Sequence, residues 1–307
     1  MTRRINLLLL ALLLILGGPV WYLLLDTSPW RVPPKDLRLA EARRLAEAMP
    51  GPRPERISLD IVAWKRVPGN LFAAGSGFKR RLIAVMAFRL DVPGRPPIMI
   101  DSGMTRAYAD ELGMEAFDEP AQARVNKSLR EAGTILFTHE HADHLGGLAA
   151  LAGAEGGAPL LSRVMLNPAQ AAATTRPSSF LPWPQGTAIA PRIGAAGPQA
   201  VAPGVVVIPT PGHTPGSQMI YVRLASGKEY LFAGDTAVLV MNWQQERPPS
   251  RLLSDRLVPQ DRAAMVGWLR ALKAEHRGTP ALAIVPGHDS DWILDPGNGM
   301  GFQRIGD

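Results

Sequence analysis

Residues Ile5 to Leu25 carry no charge, and Leu7 to Leu16 is almost solid leucine. About 20 apolar residues suffice to cross a bilayer as a helix. Arg3 and Arg4, on a very short tail, predict that the tail stays in the cytoplasm, and Trp21 and Tyr22 mark the far interface. Gly17-Gly18-Pro19 offers no small-x-small cleavage site. Residues 1–25 therefore read as an uncleaved transmembrane signal-anchor, with a cleaved signal peptide as the alternative. The rest of the chain is then expected outside the cytoplasm, either anchored in an inner membrane on its periplasmic side or exported.

Beyond this run the periods change. Asp26 to Pro34 is polar and proline-bearing and reads as a juxtamembrane linker. Lys35 to Ala48 reads as a helix, since Ala42, Leu45, Ala46 and Met49 form one apolar stripe at helical spacing. Residues 26–54 are thus a linker and helix ahead of a domain spanning 55–307. Strands are predicted at Ile57–Val67, Leu82–Leu90, Pro97–Asp101 and Thr134–Thr138, with helices at Arg106–Leu112, Gln122–Ala132 and Ala142–Leu151. The second half repeats the style, with strands at Arg163–Leu166, Val205–Ile208, Met219–Leu224, Tyr230–Ala233 and Leu282–Val285. Its one clear helix is Pro259–His276. Strands mixed with helices in both halves imply an α+β fold of sheets covered by helices. Two proline-rich stretches, Thr174–Gly197 and Met241–Leu253, are expected as loops.

Composition narrows the chemistry. Apolar residues make up 46% and charged residues 20%, which excludes wholesale disorder. The absence of cysteine excludes disulfides, thiolate ligands and a cysteine nucleophile, so a metal must be held by His, Asp or Glu. The net charge of +6 comes without a dense basic block interleaved with aromatics, so no nucleic-acid partner is expected. The charge suits a body beside an anionic membrane reached through the N-terminal helix.

The sharpest motif is Thr138-His139-Glu140-His141-Ala142-Asp143-His144. In an extended segment His139 and His141 point to one side. Asp143 and His144 follow where a turn should feed a helix, and so can aim at a second point nearby. The spacing is not the His-Glu-x-x-His of helical zinc proteases, because Asp143 stands where their second histidine would be. Three further segments end an apolar strand in a tight turn bearing a possible ligand: Gly212-His213, Gly234-Asp235 and Gly287-His288. The sixth histidine, His276, lies near the end of a helix, where a solvated or dipole-facing role is expected.

In this order of motifs the chain resembles the metallo-β-lactamase superfamily over nearly all of residues 55 to 290. The resemblance implies a four-layer αββα sandwich with two metal ions at the strand ends. It places one ion on His139, His141 and His213, the other on Asp143, His144 and His288, and Asp235 between them. It gives Asp101, in Ile98-Met99-Ile100-Asp101, a supporting role behind a ligand, although a helix N-cap is an equal reading of that aspartate. The donor set suits two Zn²⁺, with iron or manganese also compatible. A bridging hydroxide would then attack an ester, lactone, amide, thioester or phosphoester of a small molecule, and Asp143 would also orient the nucleophile or pass a proton as a catalytic residue. The alternatives are a mononuclear iron persulfide-dioxygenase-like oxidoreductase and a non-catalytic binding protein on the same frame. Thr210-Pro-Gly-His213-Thr-Pro-Gly is similar to lactonase-like members, yet no tyrosine follows Asp235 within Thr236–Trp243, a departure from them. Candidate pocket residues are Phe72–Phe78, Met104, Phe180–Trp183 and Met241–Trp243, although plain core or loop packing is the preferred reading of each.

Overall fold

The computed structural model describes residues 3–176 and 180–306. Met1 and Thr2 of the predicted anchor, residues 177–179 of the first proline-rich loop, and Asp307 lie outside the described residues. Two sheets face each other. The first has the order β11 (Gln303–Arg304), β1 (Arg56–Pro68), β2 (Arg80–Asp91), β3 (Ile98–Ile100), β5 (Thr134–Leu136), with β4 (Ala116–Phe117) also on β1. The second runs β10 (Ala283–Pro286), β9 (Glu229–Gly234), β8 (Gln218–Arg223), β7 (Val205–Pro209), β6 (Gln199–Ala202). Most neighbours are antiparallel, but β1–β11, β3–β5 and β9–β10 are parallel. In the last two pairs the carboxyl ends of both members reach the same edge, and the site gathers there.

Alternation along the strands builds the layers. Val205 and Val207 join Ile220, Val222 and Phe232 against Met86, Phe88 and Ile100 of the other sheet, forming the central core. Their neighbours Val206 and Ile208 face the opposite way, onto α2 (Leu39–Ala48) and α9 (Arg262–Gly278) through Leu39, Ala42, Leu269 and Leu272. On the far side, Val85, Met99 and Ile135 pack under α5 (Glu119–Glu131) and α6 (Ala142–Gly153) through Val125, Leu129, Leu145 and Leu148. The result is the four-layer αββα sandwich. Each such side chain, fully removed from water, contributes about 1.5–3 kcal/mol. Caps set the helix starts. Asp118 accepts from the Ala121 amide at 2.9 Å, and Asp261 does the same for Ala264 at 2.9 Å.

The remaining helices are short: α3 (Gly69–Phe72), α4 (Arg106–Glu111), α7 (Pro168–Thr174), α8 (Val240–Gln244) and α10 (Ser290–Leu294). Three expectations shift. The helix predicted from Lys35 begins at Leu39, because Arg38 takes a left-handed φ of 51°. Arg163–Leu166 is not a strand. A 3-10 turn occupies Ala158–Arg163, Val164 makes one parallel bridge to Ile135, and Asn167 already caps α7. The expected loop Met241–Leu253 contains most of α8 and the start of a π-helical turn, Leu252–Leu257.

At the N-terminus, α1 (Arg3–Val20) continues as a π-helical turn, Trp21–Leu25. Together these 23 residues are long and apolar enough to cross a membrane, and none packs on the body within the hydrophobic window. Asp26 to Trp30, read from sequence as a linker, is pinned to the body. Asp26 accepts from Arg251 Nε at 2.7 Å, Arg262 donates to the carbonyls of Asp26 and Ser28, and Arg270 to those of Trp30 and Val32.

One close approach matters for the site. A Cβ on Gly147 of α6 would lie 1.9 Å from the Ser102 carbonyl oxygen, so only glycine lets this helix seat against the turn after β3. Gly147→Ala is expected to cost about 2–3 kcal/mol through overpacking, lowering the thermal midpoint of the detergent-solubilised chain by about 5 °C or more. Gly278→Ala, where nothing lies within 4 Å, should leave the midpoint unchanged or slightly raised. Equal midpoints for the two variants would refute the close seating of α6.

Candidate metal centre

Every candidate side chain sits just past the carboxyl end of a strand. β3 delivers Asp101, β5 delivers Thr138 and His139, β7 leads to His213, β9 to Asp235 and β10 to His288. His141 holds the extended N-cap position of α6, with φ −74° and ψ 158°, and Asp143 and His144 fall in the first helical turn. Gly234 has φ +51°, and a Cβ there would meet the Thr138 side chain at 2.7 Å, so glycine is needed to bring the turn carrying Asp235 against the turn after β5.

The seven predicted donors converge in two adjoining sets. His139 Nε2 and His213 Nε2 each lie 3.0 Å from His141 Nδ1. Beside them His144 Nε2 is 3.3 Å from His288 Nε2, and Asp143 Oδ2 is 3.7 Å from the first and 3.6 Å from the second. Asp235 spans the sets. Its Oδ2 is 3.6 Å from His213 Nε2, while Oδ1 is 3.0 Å from His288 Nε2 and 3.6 Å from His144 Nε2.

The ring nitrogens turned away from the cluster have partners that set the tautomers. His144 Nδ1 donates to Asp101 Oδ2 at 2.9 Å, and His288 Nδ1 to the Ala84 carbonyl at 2.8 Å. His213 Nδ1 lies 3.3 Å from Gln260 Oε1, and His139 Nδ1 3.3 Å from Thr138 Oγ1. In each case Nε2 is left facing the cluster. Asp101 has φ 60° and also accepts from the Thr138 amide at 2.8 Å and from Thr138 Oγ1 at 2.9 Å. It caps no helix, because Thr105 caps α4 by accepting from Tyr108 N at 3.1 Å. Glu140, which sequence reading left without a role, accepts from Thr214 Oγ1 at 2.7 Å and Gly216 N at 3.0 Å. It thereby locks the histidine run to the turn that carries His213.

These donors fit a cation. Imidazole lone pairs 3 Å apart, with no donor between them, are tolerable in a buried site only when a proton or metal ion sits among them. Asp235 Oδ1 is buried and accepts no aligned hydrogen bond. Burial pushes the His213 imidazole down to about 4, only partly opposed by Asp235, and drives His139 well below its ordinary value. His144 behaves differently. Burial lowers it, but Asp101, Asp143 and Asp235 together outweigh burial and raise it to about 10. The imidazoles around Asp235 hold its carboxyl well below the usual range against the pull of burial. His276, outside the cluster, contacts the Trp243 ring in the last turn of α9, with ring centroids 4.8 Å apart.

Above the cluster is a cavity of about 390 Å³ floored by His141, Asp143, His213, Asp235 and His288. Its walls are mainly apolar: Val67, Leu71, Phe72, Ile83, Val85, Leu253, Leu257 and Val258, with Tyr108 and Lys65 beside Asp143. Lys65 Nζ donates to the Leu112 carbonyl at 2.8 Å, and burial lowers its ammonium while Asp143 opposes that shift. Of the pocket residues expected from sequence, Phe72 lines the cavity. Met104 and Trp243 are instead buried in the helix-covered cores, and Trp183 packs against one of them. Ile83, Val85 and Leu253 carried no signal in the sequence distinguishing wall from core.

Comparison with known proteins agrees with this arrangement. A family model described as the metallo-beta-lactamase superfamily matches residues 84–288. The chain is 35% identical over 82 residues to N-acyl homoserine lactonase AttM of Rhizobium radiobacter, and equally to AttM of Agrobacterium fabrum strain C58. Each match covers 27% of this chain and 28% of the relative, so the chain matches only about a quarter of those curated relatives' length. Among solved structures, a quorum-quenching N-acyl homoserine lactone lactonase superposes with a TM-score of 0.60 at 17% identity, covering 80% of this chain and 95% of its own. A probable metal-dependent hydrolase from Staphylococcus aureus gives 0.56 at 13%, covering 77% and 91%. At these identities the superpositions speak for the fold alone. The family match spans two thirds of the chain and includes Asp101 and all seven donors, and the chain belongs to the metallo-β-lactamase superfamily.

Proposed function

We propose that this chain is a membrane-anchored, metal-dependent hydrolase holding two metal ions, zinc foremost, and that it opens an ester or lactone bond in a small molecule with an apolar tail. The observation that carries the reading is Asp235, a buried carboxylate with one oxygen toward each set of imidazoles. His139, His141 and His213 would hold one ion, and Asp143, His144 and His288 the other. Ions bound there would supply a Lewis acid for a carbonyl oxygen and bring a water's pKa toward neutrality. The chain's own residues do the rest. Asp101 orients His144. Asp143, at the cavity floor, accepts a proton and returns it to the leaving oxygen. The apolar walls exclude water and hold an acyl or alkyl tail.

The curated relatives bear the name of N-acyl homoserine lactonases, and an apolar wall beside a polar floor suits such amphiphilic acyl compounds. The tyrosine expected after Asp235 in lactonase-like members is missing. Tyr108 of α4 lines the same cavity instead, its phenol pushed up to about 12 by burial and by Asp143. It keeps its proton at neutral pH and can serve as a donor to a substrate oxygen.

The anchor reading rests on Arg3–Leu25, about 34 Å of apolar helix against a hydrocarbon core of about 30 Å. The body is placed on the extracytoplasmic side because Arg3 and Arg4 precede the apolar run.

Asp235→Ala should lose metal and ester or lactone hydrolysis together, with content read by elemental mass spectrometry on the purified chain. Two equivalents of metal retained in that variant would sink the bridging assignment, and one iron per wild-type chain would sink the zinc hydrolase. A second expectation concerns protons. His144 is raised to about 10, so metal-free protein carries a proton there at pH 7, and a cation must displace it. Zinc uptake should therefore release at least one proton per chain, and apparent affinity should climb about tenfold per pH unit for each proton displaced, from pH 6 to 8. Calorimetry in buffers of different ionisation enthalpy counts the protons, and a count of zero would mean that His144 carries no proton before the metal arrives. Third, Tyr108→Phe should lower kcat by about tenfold or more while KM changes little. An unchanged kcat would leave the phenol as wall only.

A further inference from the structure

The end of the apolar N-terminal helix and the cavity over the metal centre share a wall. Tyr22, in the last turn of that helix, lies under the Arg251 guanidinium, 4.7 Å from ring centroid to Cζ. Leu253 and Leu257, just beyond Arg251 in the π-helical turn, line the cavity. A second link runs through α3: the Gly75 amide donates to the Leu24 carbonyl at 3.2 Å, and Leu71 and Phe72 line the cavity. Ser250 N donates to the Leu71 carbonyl at 2.9 Å and ties the two segments into one sheath. The cavity is thus separated from the emerging anchor by about the thickness of one helix, on the order of 10 Å.

Two large apolar side chains next to these segments in the chain are turned outward. Phe78 is 61% exposed and Leu257 is 60% exposed. Leu257 belongs to the cavity wall and the outer surface at once. Trp30, at the pinned junction, is 64% exposed. Lys79, Arg80 and Arg256, all exposed, flank Phe78 and Leu257 in sequence, with Asp255 exposed between Arg251 and Leu257 and Arg80 paired with Glu115. Aromatic and aliphatic side chains beside lysine and arginine are the composition that lies at a lipid headgroup boundary. The junction's bonds to Arg251, Arg262 and Arg270 leave the body little freedom to swing away from the membrane in which the helix would end.

We infer that the Phe78–Leu257 face is seated on the bilayer surface, so that the cavity mouth opens at the lipid–water boundary and receives amphiphiles partitioned into the membrane. The inference rests on the anchored-hydrolase reading and adds to it the route and the class of substrate. A tail entering along Leu257 and Leu253 would bring a carbonyl headgroup to the Asp143–Asp235 floor.

The chain contains no cysteine, so single nitroxide labels can be placed without background. Phe78→Cys, Leu257→Cys and, on the far β8–β9 turn, Ser226→Cys would be labelled in the full chain in phospholipid nanodiscs. Collisions with oxygen and with a water-soluble nickel chelate then report depth. Labels at 78 and 257 should be oxygen-rich and shielded from nickel, and the label at 226 the reverse. Equal nickel access at all three sites overturns the seat, whatever the catalytic results. The substrate class is read with N-acyl homoserine lactones of 4 and 12 carbons. Phe78→Asp, outside the cavity lining, should reduce kcat/KM for the 12-carbon compound about tenfold and leave the 4-carbon compound unchanged. Equal effects on both chain lengths overturn the membrane route. If neither compound is hydrolysed, homoserine lactones are excluded as substrates, and the label at 257 still decides the route. Immobilisation of that label by the 12-carbon lactone and not by the 4-carbon one supports the route, and no response to either overturns it.

Discussion

Five imidazoles and two carboxylates with oxygens a few ångströms away occupy one edge of the sandwich, and five of the seven are buried at less than a tenth exposure. Lone pairs packed this way repel each other and have lost their water, so the arrangement is stable only when a positive charge sits among them. Part of that charge is built in as protons. The carboxylates around His144, Asp101 first among them, push its imidazole up to about 10 against burial, whereas burial pushes His213 down to about 4. The cluster is therefore poised to exchange protons for a metal ion. The surrounding fold meets the cost of this poise with rigid supports: Asp101 at positive φ, Glu140 across to Gly216, and Gln170 Nε2 donating to the Phe137 and Gly216 carbonyls at 3.1 and 2.9 Å.

The sandwich makes such supports available. Alternation fills three cores, one between the sheets and one under each helical layer. No polar side chain needs to enter those cores to hold the site, because the donors lie beyond the strand ends. The parallel pairs β3–β5 and β9–β10 put Asp101 beside Thr138 in one sheet and Asp235 beside His288 in the other. The first turn of α6 contributes as well. It lies at the cluster with the end at which the helix dipole is positive, and a carboxylate such as Asp143 is favoured there.

Much of this was legible in the chain because its signals are local. The β2-, β7- and β8-type alternations, the Asp261-capped helix and the glycine-ligand turns each depend on a few neighbouring residues, and the structure follows them within a few positions. The αββα fold came through the order of motifs. What did not show was set by distant partners. Arg163–Leu166 has strand composition, but only Val164 finds a bridge, because Asn167 and Pro168 start a helix. Glu140 lies inside the sharpest motif, yet its partners Thr214 and Gly216 are more than 70 residues away. The cavity wall was missed for the same reason. Ile83 and Val85 have the same alternation as core residues, and only the approach of the 249–258 segment makes them a wall. Met104 and Trp243 went to cores because their helices turn those faces inward.

The segment after the anchor carries the most consequential difference between composition and structure. Proline and polar residues from Asp26 to Pro34 read as a juxtamembrane linker, and nothing in that composition ties the segment to the body. Instead, the carbonyls of Asp26, Ser28, Trp30 and Val32 accept from arginines of the body, and the Asp26 carboxylate is buried against Arg251 and Ser28. Arginine suits this task because its planar fork satisfies several carbonyls at once and remains charged even where burial lowers Arg262 to about 10. Two guanidiniums on backbone oxygens and a third, Arg251, on the Asp26 carboxylate and the Ser28 hydroxyl have little to gain from water, so releasing the junction would leave them unpaired in a half-buried groove. The pinned junction also borders the Leu252–Leu257 turn through Arg251, so the end of the apolar helix is tied to the segment that carries the cavity wall.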